Sequence, residues 1–152
     1  METPLSIMEI QNMTPHRVVS SEQVDIAGNK LYVDGVQTTR PHIILIEFPH
    51  TDVGHFVAVW KDKGWNYFDP TGKEMGYYDV LPTFDKVRSN DKVYQKEYLI
   101  QSDGTGVKVK EMNTCGRHCV VRLSRDYDRV VTHPRFTPDE IVTLLTSRSR
   151  TH

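Results

Sequence analysis

Three short segments of the chain carry residue types that could do covalent chemistry: Gly54-His55-Phe56, Phe68-Asp69-Pro70-Thr71-Gly72 and Asn113-Thr114-Cys115-Gly116. A thiol, an imidazole and a carboxylate are the set that acyl transfer through a thioester requires. The thiolate attacks, the imidazole moves the proton, and the carboxylate fixes the tautomer of the imidazole and stabilises its charged form. Asn and Thr are helix N-cap residues, so Cys115 is expected to open a helix. A thiol there sits at the positive end of the macrodipole, beside backbone N–H groups with no partner, and both favour the thiolate. The N–H of Cys115 is then a candidate oxyanion donor, and Gly116 is expected to let a substrate carbonyl approach without a Cβ in the way. Each residue taken singly has a plainer reading: a structural histidine, a turn aspartate, a core cysteine. The combination is what points to catalysis.

The elements around these segments are expected to bring them together. His55 to Trp60 alternates like a strand, Lys61-Asp62-Lys63-Gly64 is a turn, and Trp65 to Asp69 returns, so His55 and Asp69 become cross-strand neighbours at one sheet edge. His42 to Phe48 reads as a buried strand, and Lys30 to Val33 as a strand entering a turn at Asp34-Gly35. Val93 to Gln101 and Val107 to Lys110 flank the turn Asp103-Gly104-Thr105-Gly106 as a second hairpin. Residues 77–90 read as irregular or helical. Helices are expected over 4–12, with Leu5, Met8 and Ile7 inward, and from about Cys115 to Ser124, with Val120, Val121 and Leu123 inward. A third starts at Thr137-Pro138-Asp139-Glu140, with Thr137 as cap and Ile141, Leu144 and Leu145 inward, and the tail from Ser147 is expected to fray. Strands in the middle with helices on either side give an α+β domain with a mostly antiparallel sheet.

Composition sets the outer bounds. The 152 residues are expected to form one domain, 1–152, large enough for a core without staples. Nineteen basic and 20 acidic residues give a net charge of −1, which argues against a dedicated polyanion binder. The longest aliphatic run, Ile43 to Ile46, is too short for a membrane span, and the first residues lack a secretory pattern. The two cysteines, Cys115 and Cys119, stand one helical turn apart, a poor geometry for a disulfide. A reduced, intracellular protein is the expectation.

Gly54-His55-Phe56-Val57-Ala58-Val59-Trp60, Phe68-Asp69-Pro70-Thr71-Gly72 and Asn113-Thr114-Cys115-Gly116-Arg117-His118-Cys119, in that order, resemble the adenain-like clan of cysteine proteases. Within it the closest likeness is to the maturation proteases of adenoviruses, virophages and Maverick/Polinton elements. The resemblance covers about residues 42–125. It implies a papain-like, adenain-like fold, with His55 as general base, Asp69 as its orienter, Cys115 as nucleophile and Cys119 as a spectator. It also implies cleavage of virion precursor proteins after small residues such as glycine, inside the infected cell and the virion, by a monomer. The chemistry would need no cofactor or metal, although an activating peptide or DNA is known in adenoviral relatives. Two departures stand out. Phe56 replaces the usual tryptophan, and the oxyanion glutamine, due six to eight residues before the nucleophile, is replaced by Val107, Lys108 and Val109. Treating Gly106 to Met112 as an inserted hairpin arm restores the spacing and makes Gln101 the candidate.

Other readings use the same residues. The clan includes deubiquitinases and deSUMOylases, whose chemistry is identical. Cys115, His118 and Cys119, with His50 and His55, could form a zinc site, although the spacing matches no common zinc pattern. Residues 117–152 hold seven arginines (117, 122, 125, 129, 135, 148 and 150) against four acids, a local excess that would suit nucleic acid or an acidic partner.

Overall fold

The structure is a computed structural model that describes residues 6–47, 54–90, 97–102, 106–111, 114–124 and 138–149; over 97–102, 106–111 and 148–149 it describes the backbone alone. It is α+β. A short helix α1 (Ile7–Gln11) leads into β1 (Arg17–Ser20), and a single 3-10 turn separates β1 from β2 (Val24–Ala27), β3 (Lys30–Val33) and β4 (Val36–Thr38). The central strands β5 (His42–Glu47), β6 (Gly54–Lys61) and β7 (Trp65–Phe68) follow, then β8 (Val87–Ser89), β9 (Glu97–Ser102) and β10 (Gly106–Glu111). Helices α2 (Cys115–Arg122) and α3 (Pro138–Ser149) end the chain of elements.

The main sheet has the order β1-β5-β6-β7-β8. Its middle pairings, β5–β6 and β6–β7, are antiparallel, but β1–β5 and β7–β8 are parallel. The sheet is therefore mixed, not mostly antiparallel as expected. Both parallel pairs are joined by long connections: β1 reaches β5 through β2–β4, and β7 reaches β8 through residues 69–86. Tight turns enforce antiparallel pairing, whereas connections of this length do not. The strands β2–β3–β4 form a separate three-stranded meander, with Asp34 (φ 51°) and Gly35 (φ 79°) turning β3 into β4. Two successive positive φ values are what a two-residue turn matched to strand twist demands. The expected hairpin of β9 and β10 forms as a two-stranded unit, with Gln101 paired to Val107; residues 91–96 lie outside the described set.

Both faces of the main sheet are covered, which explains the nearly unbroken apolar run of β5. One face (Ile43, Phe56, Ala58, Phe68) carries α2, with Ile10 and Met13 from the N-terminal region and Ile141 and Val142 of α3. The other (Val19, Ile44, Ile46, Val57, Val59, Tyr67) packs on Leu31 and Val33 of the meander and on Leu81 and Phe84. Residues 77–90 hold no helix; they are turns followed by β8. The inward faces of two helices match expectation only in part: Ile7, Ile141 and Leu145 pack inward, but one expected residue of each helix does not. In α1, Ile10 is buried while Met8 is 77% exposed, and in α3, Val142 is buried while Leu144 is 49% exposed. The described part of α1 is a little over one turn, too short for a periodicity argument to fix its phase. Leu5 and Thr137 lie outside the described residues.

Gly116 has a different role from the one expected. A Cβ there would meet the Ile10 side chain at 2.5 Å and Phe56 at 3.0 Å. The glycine lets α2 seat against α1 and β6, so it serves packing and not the approach of a substrate. No described helix is long and apolar enough to cross a membrane.

Candidate active site

The site forms where β6 begins, β7 ends and α2 begins. The β6–β7 ladder runs only from Lys61↔Trp65 to Ala58↔Phe68. One further step of that register would set Asp69 opposite Val57, two residues from His55 on the same face of the sheet. His55 and Asp69 are thus diagonal neighbours, not the direct cross-strand pair expected, and a diagonal pair is still within side-chain reach. His55 Nε2 lies 2.7 Å from Asp69 Oδ1, with both side chains buried.

The turn after β7 fixes the carboxylate. Thr71 donates to Asp69 Oδ1 twice, from its backbone N–H at 2.8 Å and from its hydroxyl at 2.7 Å. This is an Asx-type turn, so the turn role and the orienting role of Asp69 coexist. Asp69 Oδ2 and the Tyr67 hydroxyl, both buried, have no hydrogen-bond partner among the described residues. Burial first, and then the Asp69 charge, push the Tyr67 phenol well above its ordinary value and keep it protonated.

Cys115 is the first residue of α2 and is half-buried. The backbone N–H of Phe56 donates to its sulfur at 3.4 Å. That stretch of β6 extends beyond the end of β7, so the sulfur meets a strand edge that β7 does not cover. The Cys115 sulfur also interacts with the His55 ring and helps to raise its pKa. With Nε2 on Asp69, Nδ1 is the nitrogen left for this contact. Burial alone would lower the His55 pKa, but the hydrogen bonds and charges of Asp69 and Cys115 outweigh it and raise it to about 10. Tyr78 packs on the ring at 5.4 Å between centroids, and Tyr77, 62% exposed, meets Tyr78 edge-on.

Thr114 does not cap α2 with its side chain, contrary to expectation. Its hydroxyl donates instead to Asp139 Oδ1 at 2.7 Å, which also takes His118 Nε2 at 2.8 Å. The first intrahelical bond runs from His118 N–H to the Thr114 carbonyl. The N–H groups of Cys115 and Gly116 precede it at the open start of the helix.

The sequence therefore identified His55, Asp69 and Cys115 as a set, and they meet. Gln101 lies on β9, and its side chain, like Asn113 and His50, is outside the described residues. Cys119 is fully buried, and burial, followed by the charges of Cys115 and Asp69, pushes its thiol well above the ordinary value. It lies in the apolar cluster, while His118 is turned to Asp139. Among the described residues no three His, Cys, Asp or Glu side chains are grouped to hold a metal. Of the seven arginines, Arg117 donates to Thr146 and Arg122 stacks on Trp60 at 4.4 Å. The side chains of Arg125, Arg129, Arg135, Arg148 and Arg150 are outside the described residues.

Sequence reasoning missed Thr71, Tyr78 and the Thr114–His118–Asp139 group. Thr71 had a signal, because Asp-Pro-Thr is an Asx-turn pattern. Tyr78 had none. In sequence, the chain matches no protein-family model and none of the curated proteins.

Proposed function

We propose that the protein is a cysteine endopeptidase, with Cys115 as nucleophile, His55 as acid and base, and Asp69 as the group that orients His55. One observation carries the reading: a buried imidazole is hydrogen-bonded to a buried carboxylate, and the sulfur at a helix start, which takes the N–H of the next strand residue Phe56, acts on the same ring. Neither a structural histidine nor a turn aspartate accounts for the sulfur. The raised His55 pKa supports a protonated imidazole, the acid that the leaving amine needs, as the resting state of the ring.

In this mechanism the Cys115 thiolate attacks the scissile carbonyl carbon, and the negative charge moves to its oxygen. The first-turn N–H groups of α2 face that oxyanion; Gln101 would be a second donor, on the resemblance alone. The His55 imidazolium gives its proton to the leaving amine as the C–N bond breaks, leaving a thioester. Water then attacks, losing a proton to His55, and the thioester opens to the acid and the Cys115 thiolate. Asp69 holds the ring in the needed orientation throughout. Substrates are virion precursor proteins cut after glycine, on the strength of the resemblance.

The test is hydrolysis of a fluorogenic peptide with glycine before the scissile bond. Wild-type protein should cleave it, with a thioester trapped by rapid acid quench. Folded protein that neither cleaves such peptides nor reacts at Cys115 with a glycine-terminated electrophile would sink the reading.

A further inference from the structure

A second concave site lies at the other end of β5. His42, at the start of β5, is in register with Arg17, at the start of the parallel strand β1, and faces Val59 across β6. Ile46, near the other end of β5, is the residue that faces His55. Four residues of strand, about 13 Å, separate the two positions.

A cavity of about 480 Å³ opens there, with His16, Arg17, Arg40 and His42 around it and apolar walls from Val33 and Pro41. No carboxylate is among its lining residues. Arg17 of the lining is paired with Asp34 at 2.6 Å, a carboxylate that Gln23 Nε2 also holds at 3.1 Å. The Arg40 guanidinium has no partner among the described residues. His42 is 4% exposed, and its Nδ1 donates to the Arg40 carbonyl at 2.8 Å. That fixes the tautomer and leaves Nε2 as the polar atom of a buried ring that lines the cavity, with no partner among the described residues.

We propose that this cavity is a binding site for a phosphate monoester, held by Arg17, Arg40 and His42. Two guanidinium groups present forked donors that match a tetrahedral dianion. A carboxylate has one charge and two oxygens, and would leave part of this donor set unused. The volume is several times that of a bare phosphate, and the apolar walls suit the organic group that carries it. His42 adds a third donor once the anion arrives. Its pKa is now held down, first by burial and then by the positive charges of Arg17 and His16, and a bound dianion offsets both charges. Arg40 adds a further positive charge that opposes uptake of a proton at Nε2 until the dianion offsets it, while the Asp34 carboxylate favours it. This site does not depend on the peptidase reading.

The test is titration of the full chain with phenyl phosphate, inorganic phosphate and benzoate, followed by the NMR signals of the His42 ring. Phenyl phosphate should bind saturably, at least tenfold tighter than benzoate, and should raise the His42 pKa. Arg40→Gln, a change at an exposed side chain, should weaken phenyl phosphate at least tenfold without changing the melting temperature. Equal affinity for inorganic phosphate would identify free phosphate as the ligand, and weaker affinity an esterified one. Benzoate binding as well as phosphate, unsaturable shifts, or unchanged affinity in Arg40→Gln would overturn the proposal.

Discussion

Two histidines of this molecule hold a buried aspartate at nearly the same distance, 2.7 Å for His55–Asp69 and 2.8 Å for His118–Asp139. Their side chains are equally hidden from water, and the aspartate oxygen that takes each ring also takes a threonine hydroxyl: Thr71 in the first pair and Thr114 in the second. They differ in what the pair joins. His55 and Asp69 sit at two strand ends, and the ring turns its other side to the half-buried sulfur of Cys115. Asp139, on α3, ties the start of α2 through Thr114 and its next turn through His118. A His–Asp pair is therefore not a catalytic signature by itself. The first has a thiol within reach at an open strand edge; the second fixes the helix that carries that thiol.

The comparison breaks most sharply at the proposed nucleophile. Cys115→Ala and His55→Ala should each lower the cleavage rate by about four orders of magnitude or more. Cys115→Ala removes a small, half-buried side chain, so its melting temperature should stay close to that of the wild type. Asp69→Asn should retain more activity than either, because an amide still orients the ring but cannot stabilise the imidazolium. If His118→Ala lost activity while remaining fully folded and His55→Ala kept it, the roles of the two pairs would be reversed.

The second pair should show its effect in stability. Asp139→Ala leaves the His118 ring and the Thr114 hydroxyl buried without this acceptor, a loss of about 1–3 kcal/mol for each buried donor. Chemical denaturation reads this directly. Whatever fraction stays folded should still be alkylated at Cys115. A midpoint unchanged from wild type would mean that the contact between α2 and α3 does not depend on this pair.

Proton linkage sharpens the contrast further. The folded-state pKa of His55 is raised to about 10 from an ordinary value near 6.5. The folded state therefore binds the proton more tightly than the unfolded chain. Its stabilising contribution is complete below about pH 6.5 and is lost as pH rises through about 10. Urea midpoints should fall across that window in the wild type. In Cys115→Ala one of the two partners that raise the pKa is gone, so the fall should still begin near pH 6.5 but be smaller and end at lower pH. Identical profiles would show that Cys115 does not bear on His55.

The parts of the fold legible in the sequence were those fixed by local pattern. The alternating run from His55 to Trp60, the turn at Lys61 to Gly64 and the return from Trp65 dictated the hairpin. Asn-Thr-Cys-Gly marked the start of α2 correctly even though Thr114 does not cap it. What escaped was set by contacts distant in sequence. The parallel pairing of β1 with β5 depends on the meander inserted between them. Asp139 meets Thr114 and His118 across more than twenty residues, and no spacing rule links them. Gly116 was recognisable as special, but only the nearness of Ile10 and Phe56 shows why.

The smallest expected effect separates the two cysteines, which share a helix face one turn apart. Cys115 is half-buried at the helix start, whereas Cys119 is fully buried among Ile10, Phe56 and Phe68, with its thiol held protonated by burial. Only a thiolate that reagent can reach is alkylated. Iodoacetamide at neutral pH should therefore modify Cys115 alone in folded protein and Cys119 only after denaturation, which mass spectrometry of the peptides distinguishes. Cys119→Ala removes one buried sulfur from the packed face of α2 and should cost about 1 kcal/mol of stability. Turnover should remain near that of the wild type, because the Cys119 side chain points into the core while His55 faces Cys115. A catalytic loss in Cys119→Ala with its melting temperature unchanged would require the second thiol to take part in the chemistry, and the assignment of Cys115 as sole nucleophile would fall.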